Sequence, residues 1–398
     1  MKTSASRILT THVGSMPRPE SIKAMLRARL AGQGVDEAQL SARVEEAVAE
    51  AVRQQARVGI DVVSDGEMGK TSFLAYADER LTGFVAMSTG DRGIPSSNAG
   101  VSWARRIDTR REWCAFRDYY EEYLPRAMPP SATPTVCQGP ISYKGHARLQ
   151  RELGTFKAAL GGVMVEEAFV PAIAPAMVGR GQNQYYATEE EYVFAIAEAL
   201  ATEYKAIVDA GFILQIDDPG LGETWDMIIP APPLEEYRKK QTRNIEALNH
   251  ALRGIPEDRV RYHLCWGSWQ GPHVHDLGLR DIVDLMLRVK AQTYSVEAAT
   301  PRHSYEWRVW EDVKLPDGKL LIPGVIAHTT AVVEHPETVA ERIMTFARLL
   351  GRERVIAGVD CGFAQGALYQ RQHPTVMWAK FEALVAGARL ASERLWRR

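Results

Sequence analysis

Along the chain, short β-branched or apolar runs alternate with longer stretches whose apolar residues recur near helical spacing. That alternation is the form taken by repeated strand–helix units around a parallel sheet. Eight runs read as strands: residues 7–14, 60–65, 133–139, 212–217, 260–266, 293–297, 320–328 and 355–361. Helical patterns occupy 38–58, 190–210, 234–252, 279–290 and 336–350, and a last helix runs over about 374–396. Eight strands, each with a returning helix, predict an α/β fold of the (β/α)8 TIM-barrel type. The rival is an open doubly wound sheet, and no Gly-x-Gly-x-x-Gly follows the first strand to support it. Two stretches, about 68–131 and 141–188, exceed ordinary loop length and carry aromatics (Trp103, Trp113, Tyr119, Tyr120; Tyr185, Tyr186). They read as insertions after strands 2 and 3 that cover the barrel mouth, so residues 1–398 form one domain; a separate small domain is the alternative.

Composition narrows the class. With 45% hydrophobic and 25% charged residues the chain can bury a large core. A formal net charge of −2, with Lys and Arg scattered, speaks against nucleic acid or an anionic membrane as partner. No apolar run approaches the ~20 residues of a membrane span, and Met-Lys-Thr-Ser-Ala-Ser leads into no apolar signal core, so a cytoplasmic location is expected. The cysteines are four, Cys114, Cys137, Cys265 and Cys361, too few and too dispersed for a disulfide framework. In a reducing compartment they stay free to bind metal.

The chemistry gathers at one end of the predicted strands. Ser15, Glu67, Asp217, His263, Cys265, Glu297, His328 and Cys361 all fall at strand C-termini, where barrel active sites are assembled. His263 and Cys265 lie two apart on a strand, so both side chains project from one face. Alone, that pair reads as a packed histidine beside a buried cysteine. Glu297 ends the sixth strand and Cys361 the eighth, completing one nitrogen, two sulfurs and a carboxylate, a set suited to tetrahedral Zn²⁺. The competing reading makes Cys361 a core residue and pairs Glu297 with Arg302. An anionic shell of this kind is a weak Lewis acid, which disfavours hydrolysis and favours activation of a substrate thiol.

Thr10-Thr11-His12-Val13-Gly14-Ser15, Asp65-Gly66-Glu67, Gly139-Pro140, Gln215-Ile216-Asp217-Asp218-Pro219, His263-Leu264-Cys265, Glu297, Ala327-His328 and Asp360-Cys361-Gly362 resemble, in order, the catalytic half of cobalamin-independent methionine synthase. The resemblance spans almost the whole chain and implies zinc on His263, Cys265, Glu297 and Cys361. It further implies that Glu67 and Asp217 hold the ammonium of an amino-acid thiol, that Ser15 with the Gly14 backbone holds its carboxylate, and that His328 is the general acid. The alternatives are an N-cap or ion-pair role for Asp217 and Asp218, and a structural role for His328. His12 and the segment Pro301 to Trp307 are expected at the mouth, where Arg302 either receives an anionic substrate group or steadies its loop. His273 and His275 have the look of a second metal pair, but a polar exposed loop is the preferred reading. The chain lacks the duplicated N-terminal half of the folate-dependent enzymes, and Ile141-Ser142-Tyr143-Lys144-Gly145 follows the Gly-Pro where they carry a pterin-stacking tryptophan. It is more similar to the short relatives, core methionine synthases using other methyl donors and epoxyalkane:coenzyme M transferase.

The expected activity is zinc-dependent alkyl transfer to a thiol, most simply methyl transfer to homocysteine giving methionine. Within the class, the alternative joins a coenzyme M-like thiol, with Arg302, Arg18 or Lys70 near its sulfonate, to an epoxide, or demethylates a small molecule. From other classes, the barrel would be a metal-free decarboxylase-like relative or a zinc-binding protein that needs a partner. The partners expected are a small thiol and an alkyl donor, and a homo-oligomer is compatible.

Overall fold

The computed structural model describes residues 1–30, 33–86, 108–127, 135–367 and 371–397. Strands among them are β1 (Leu9–Thr10), β2 (Val62–Val63), β3 (Phe84–Ala86), β4 (Thr135–Cys137), β5 (Glu167–Ile173), β6 (Gln182–Asn183), β7 (Ile213–Asp218), β8 (Val260–Leu264), β9 (Thr293–Val296), β10 (Leu320–Ile326) and β11 (Ile356–Val359). Eight of them form one sheet in the order β1-β11-β10-β9-β8-β7-β5-β2. Every pairing in that sheet is parallel. A further parallel bridge, Thr11 to Val62, joins the two ends and closes the ring. The expected (β/α)8 barrel is the fold.

Helices return the chain between strands because their ends are marked locally. Thr188 and Glu191 form a reciprocal capping box ahead of Glu189–Asp209, whose first turn holds three acidic residues that complement the helix dipole. His335 and His373 cap helices Pro336–Leu350 and Pro374–Trp396, each with proline in its first turn. The helix Glu37–Val58 ends on Gly59 at φ +99°, a left-handed conformation a side chain would strain. The main core lies between helices and the outer faces of the strands. Two smaller clusters consist of strand residues with Met1 against them: Leu9, Leu320, Ile322 and Ile356, and Val62, Phe169 and Ile213. With no helix in either, they fill the inside of the ring. Above them Arg261, wholly buried, lies 3.8 Å over the Phe169 ring and donates to Thr11 Oγ1 at 2.9 Å.

The third strand departs from the expectation. Of residues 133–139, the described ones do not enter the barrel: β4 pairs antiparallel with β3 and parallel with β6 in a separate small sheet. The third barrel strand is β5, which carries Pro171 and therefore reads poorly as a central strand. Its neighbour β2 pairs only at Glu167 and Ala168, so the missing proline N–H falls beyond the end of that ladder. The excursion after the second barrel strand is accordingly longer than 68–131, running over 64–166. Of its aromatics, Trp113 and Tyr120 pack with Leu124 against Trp269, just beyond β8, whereas Trp103 lies outside the described residues. Among the described residues no helix is long and apolar enough to cross a membrane.

Candidate active site at the C-terminal rim

His263 lies in β8 and Cys265 just past its end, while Cys361 follows β11. Parallel strands leaving the ring in register bring the three together: their ligand atoms all lie within 4.8 Å of one another. Cys265 Sγ is 3.4 Å from Cys361 Sγ, and the Gly267 N–H donates to Cys265 Sγ at 3.3 Å. His263 Nδ1 lies 3.2 Å from Ser295 Oγ, and its Nε2, though buried, has no partner among the described residues. A buried imidazole nitrogen without a partner costs free energy unless something binds it. With Nδ1 held by a hydroxyl, Nε2 is free as the ligand atom. Glu297 comes in from β9; its Oε1 accepts from the Trp266 N–H at 3.1 Å, next to Cys265. Its carboxylate also groups within 4.8 Å with His328 and Asp360, so the four expected ligands stand as three plus one beside them.

Electrostatics point the same way. The hydrogen bond to Cys361 and burial push the Cys265 thiol up, with the charges of Cys361 and Glu297 adding. Burial raises Glu297 to about 7, opposed by His303 and reinforced by Cys361. Like charges crowded in low dielectric resist ionisation until a cation joins them. The donor set therefore fits a divalent, sulfur-preferring metal.

Asp217, the penultimate residue of β7, lies directly opposite His263 in register. Burial raises it to about 7, opposed by His263 and reinforced by Glu67. Its Oδ1 accepts from Gln215 Nε2 at 2.7 Å. Asp218 is structural, taking the Gly220 N–H at 3.0 Å and the Tyr262 hydroxyl at 2.9 Å. Ser15 is held against the loop after β11: the Phe363 N–H donates to its carbonyl at 2.9 Å, and a side chain on Gly362 would come within 2.0 Å of Ser15 Oγ. Glu67 adopts φ +56° and is already paired, 3.0 Å from Lys70 Nζ, both side chains buried. Lys70 also donates to the Pro171 carbonyl at 2.7 Å. His328 is fully buried with neither ring nitrogen partnered among the described residues.

His12, expected at the mouth, stands elsewhere, and Arg302 and His273 are held by local contacts. Arg302 is exposed and donates to the Val274 carbonyl at 3.1 Å. His12 is buried within the fold, its Nε2 2.7 Å from Gln55 Oε1 and its Nδ1 accepting from the Gly14 N–H at 3.1 Å. His273 forms no metal pair with His275; its Nδ1 meets Asp276 at 2.9 Å, and Asp276 also meets His303 at 3.0 Å.

A family model described as the catalytic domain of cobalamin-independent synthase matches residues 8–101. The methionine synthase of Saccharolobus islandicus (strain L.S.2.15 / Lassen #1) is 24% identical over 393 residues, 98% of this chain and 96% of the relative. That of Sulfolobus acidocaldarius is 25% identical over 358 residues, 89% and 85% of the two chains. A B12-independent methionine synthase from Shewanella sp. W3-18-1, solved with selenomethionine, superposes with a TM-score of 0.69 at 18% identity, over 98% of this chain and 99% of that one. A putative vitamin-B12 independent methionine synthase from Listeria monocytogenes gives 0.65 at 19% identity, over 98% and 100%. Over almost its whole length the chain is similar to methionine synthases, and over residues 8–101 to the catalytic domain of cobalamin-independent synthase.

The barrel also carries supports whose roles the sequence pattern did not mark. Asp360, fully buried before Cys361, accepts the N–H groups of Ala298, Ala299 and Thr300 at 2.7, 2.9 and 2.7 Å. One carboxylate thus ties the loop after Glu297 to the strand end that carries Cys361. His303 stacks on Trp266 with centroids 4.2 Å apart. Burial opposes its protonation, but hydrogen bonds to Asp276 and Glu306 prevail and raise it to about 10. In the sequence Asp360 stood out only as part of the Asp360-Cys361-Gly362 resemblance and His303 only as one residue of the segment expected at the mouth; neither supporting role was marked.

Proposed function

We propose that this chain is a zinc-dependent thiol alkyltransferase that methylates a homocysteine-type thiol to give methionine. The observation that carries the reading is the convergence of His263, Cys265 and Cys361, with an unpartnered buried Nε2 and Glu297 beside them. The names of its relatives, methionine synthases across nearly the full chain, support the same activity. His263, Cys265, Cys361 and Glu297 would hold the ion. Zinc there would lower the pKa of an incoming thiol, and a shell this rich in anions would leave the sulfur electron-rich.

The chain's own residues do the rest. Glu297, hydrogen-bonded among the described residues only through the Trp266 N–H, would be the donor best placed to yield its position to the substrate sulfur. Asp217 receives the substrate ammonium; Lys70 already neutralises Glu67, which leaves Glu67 a supporting role. Ser15 and the Gly14 backbone receive the carboxylate. His328, both nitrogens free among the described residues, holds a proton toward the group departing from the transferred carbon. Burial of His263, Cys265, Glu297, His328 and Cys361 limits water at the reacting centre, which disfavours hydrolysis.

The test is metal analysis of native protein, then a screen of the zinc-loaded chain against homocysteine, coenzyme M and glutathione. Each is paired with methyl-folate, methylcobalamin and a simple epoxide, and loss of free thiol is read. Methylation of homocysteine by one donor is the expected result; absence of bound metal, or no thiol consumed in any pair, defeats the proposal.

A further inference from the structure

Arg18 stands three residues after Ser15 on the segment leaving β1, and it is buried. Its Nη1 donates to the carbonyl of Ala364 at 3.0 Å, on the loop that follows Cys361. Its Nε and Nη2 have no partner among the described residues. Asp65 and Glu67 are close enough to act on its charge, but no carboxylate among the described residues lies within ion-pair distance. Glu67 is occupied by Lys70, and Asp65 Oδ1 accepts the Glu67 N–H at 3.0 Å. A guanidinium edge is planar with two parallel donors, and burying it bare is costly unless an oxyanion meets it bidentately. The side chain is pinned at the seam between the loops bearing Ser15 and Cys361, which Gly362 lets approach closely.

We infer that Arg18 is a specificity-determining residue whose free edge receives the oxyanion of the acceptor thiol, beside Ser15. The inference rests on the thiol-transfer reading and names its substrate class: a small thiol bearing a carboxylate or sulfonate a few carbons from sulfur. Balance of charge favours the carboxylate source. Lys70 cancels Glu67 and Arg18 faces the oxyanion, so Asp217 remains to meet an ammonium, and an amino-acid thiol supplies both groups. A sulfonate thiol without an amine leaves Asp217 unmatched. Arg302, the exposed arginine at the mouth, has no comparable position.

The test is calorimetric titration of zinc-loaded wild type, Arg18→Met and Arg18→Lys with four thiols: homocysteine, 3-mercaptopropionate, 2-mercaptoethanesulfonate and uncharged 1-propanethiol. Arg18→Met should lose roughly 10- to 100-fold in affinity for the three anionic thiols, the scale of a lost charged hydrogen bond, and less than about threefold for propanethiol. Arg18→Lys, which keeps the charge without the fork, should fall between. Metal content and thermal midpoint, read on each variant without substrate, should stay at wild-type level, since only one carbonyl contact is given up. Homocysteine should bind more tightly than the sulfonate, and Asp217→Asn should narrow that gap; the reverse order overturns the carboxylate assignment. Equal losses for charged and neutral thiols, or no loss, overturn the role of Arg18 while the thiol site stands. Failure of wild type to bind any thiol removes both readings.

Discussion

The two ends of the barrel treat their polar groups in opposite ways. At the N-terminal end, Arg7 grips Asp61 through two bonds of 2.8 and 2.7 Å, and Asp61 also takes the Thr10 N–H at 2.8 Å. Nearby the chain's amino terminus donates to Gln292 at 2.7 Å, and Lys319 pairs with Glu257. At the C-terminal end, His263 Nε2, both nitrogens of His328 and one edge of Arg18 are buried without partners among the described residues, and two thiols stand 3.4 Å apart. Groups that satisfy one another hold a fold; groups left waiting in low dielectric raise its free energy and await a ligand. The difference separates a stabilising end from a binding end without reference to any relative.

Substitutions at the two ends should therefore fail differently. The largest effect is expected from Cys361→Ser, which removes a sulfur donor: metal retained after gel filtration should fall to a trace, and thiol alkylation with it, while circular dichroism stays native. A fully active, metal-loaded variant would break the contrast. Next comes Asp360→Ala, which strands three buried amide N–H groups. It should cost about 3 kcal/mol or more in chemical denaturation, and weaken metal binding roughly 10- to 100-fold in chelator competition, the scale of a lost outer support. Unchanged metal affinity would make Asp360 a purely structural staple.

His303→Gln should cost less and should depend on pH. The ring's folded value near 10 exceeds its unfolded value of about 6.5. Its contribution is thus complete below pH 6.5 and is lost as pH rises through about 10. Denaturation of wild type and variant across that window should show their gap closing toward high pH; a constant gap would assign the effect to packing on Trp266. The smallest change is expected at the opposite end. Arg7→Gln breaks a half-exposed pair and should cost about 0.5–1 kcal/mol, leaving turnover per folded molecule as in wild type. A large loss of activity there would undo the division of labour between the ends.

How much was readable beforehand follows from the range of each interaction. Seven of the eight barrel strands lay where period and composition put them, because each is a short run bounded by turn residues. Residues 133–139 had the same local signature and joined another sheet, since a three-residue ladder carries no mark of its partner. Pro171 hid the true third strand, and only the early end of β2 makes it tolerable there. At the site, the placement of His263, Cys265, Glu297 and Cys361 at strand ends was legible as position. The pairing of Glu67 with Lys70 was only half legible, being three residues apart but on a backbone turned to positive φ. Arg302 and Arg18 looked interchangeable as residue types; one is exposed and one buried.

The amino-acid sequence by itself determined the alternation of strands and helices, and which side chains stand at the strand ends, because both follow from interactions a few residues long. Tertiary structure alone decided which polar groups are satisfied and which are left open. Closure of the ring sets Cys265 against Cys361 across 96 residues and brings Asp360 under the loop after Glu297. Burial, unlike periodicity, is a property of the closed ring, and it is burial that gives those open groups their chemistry.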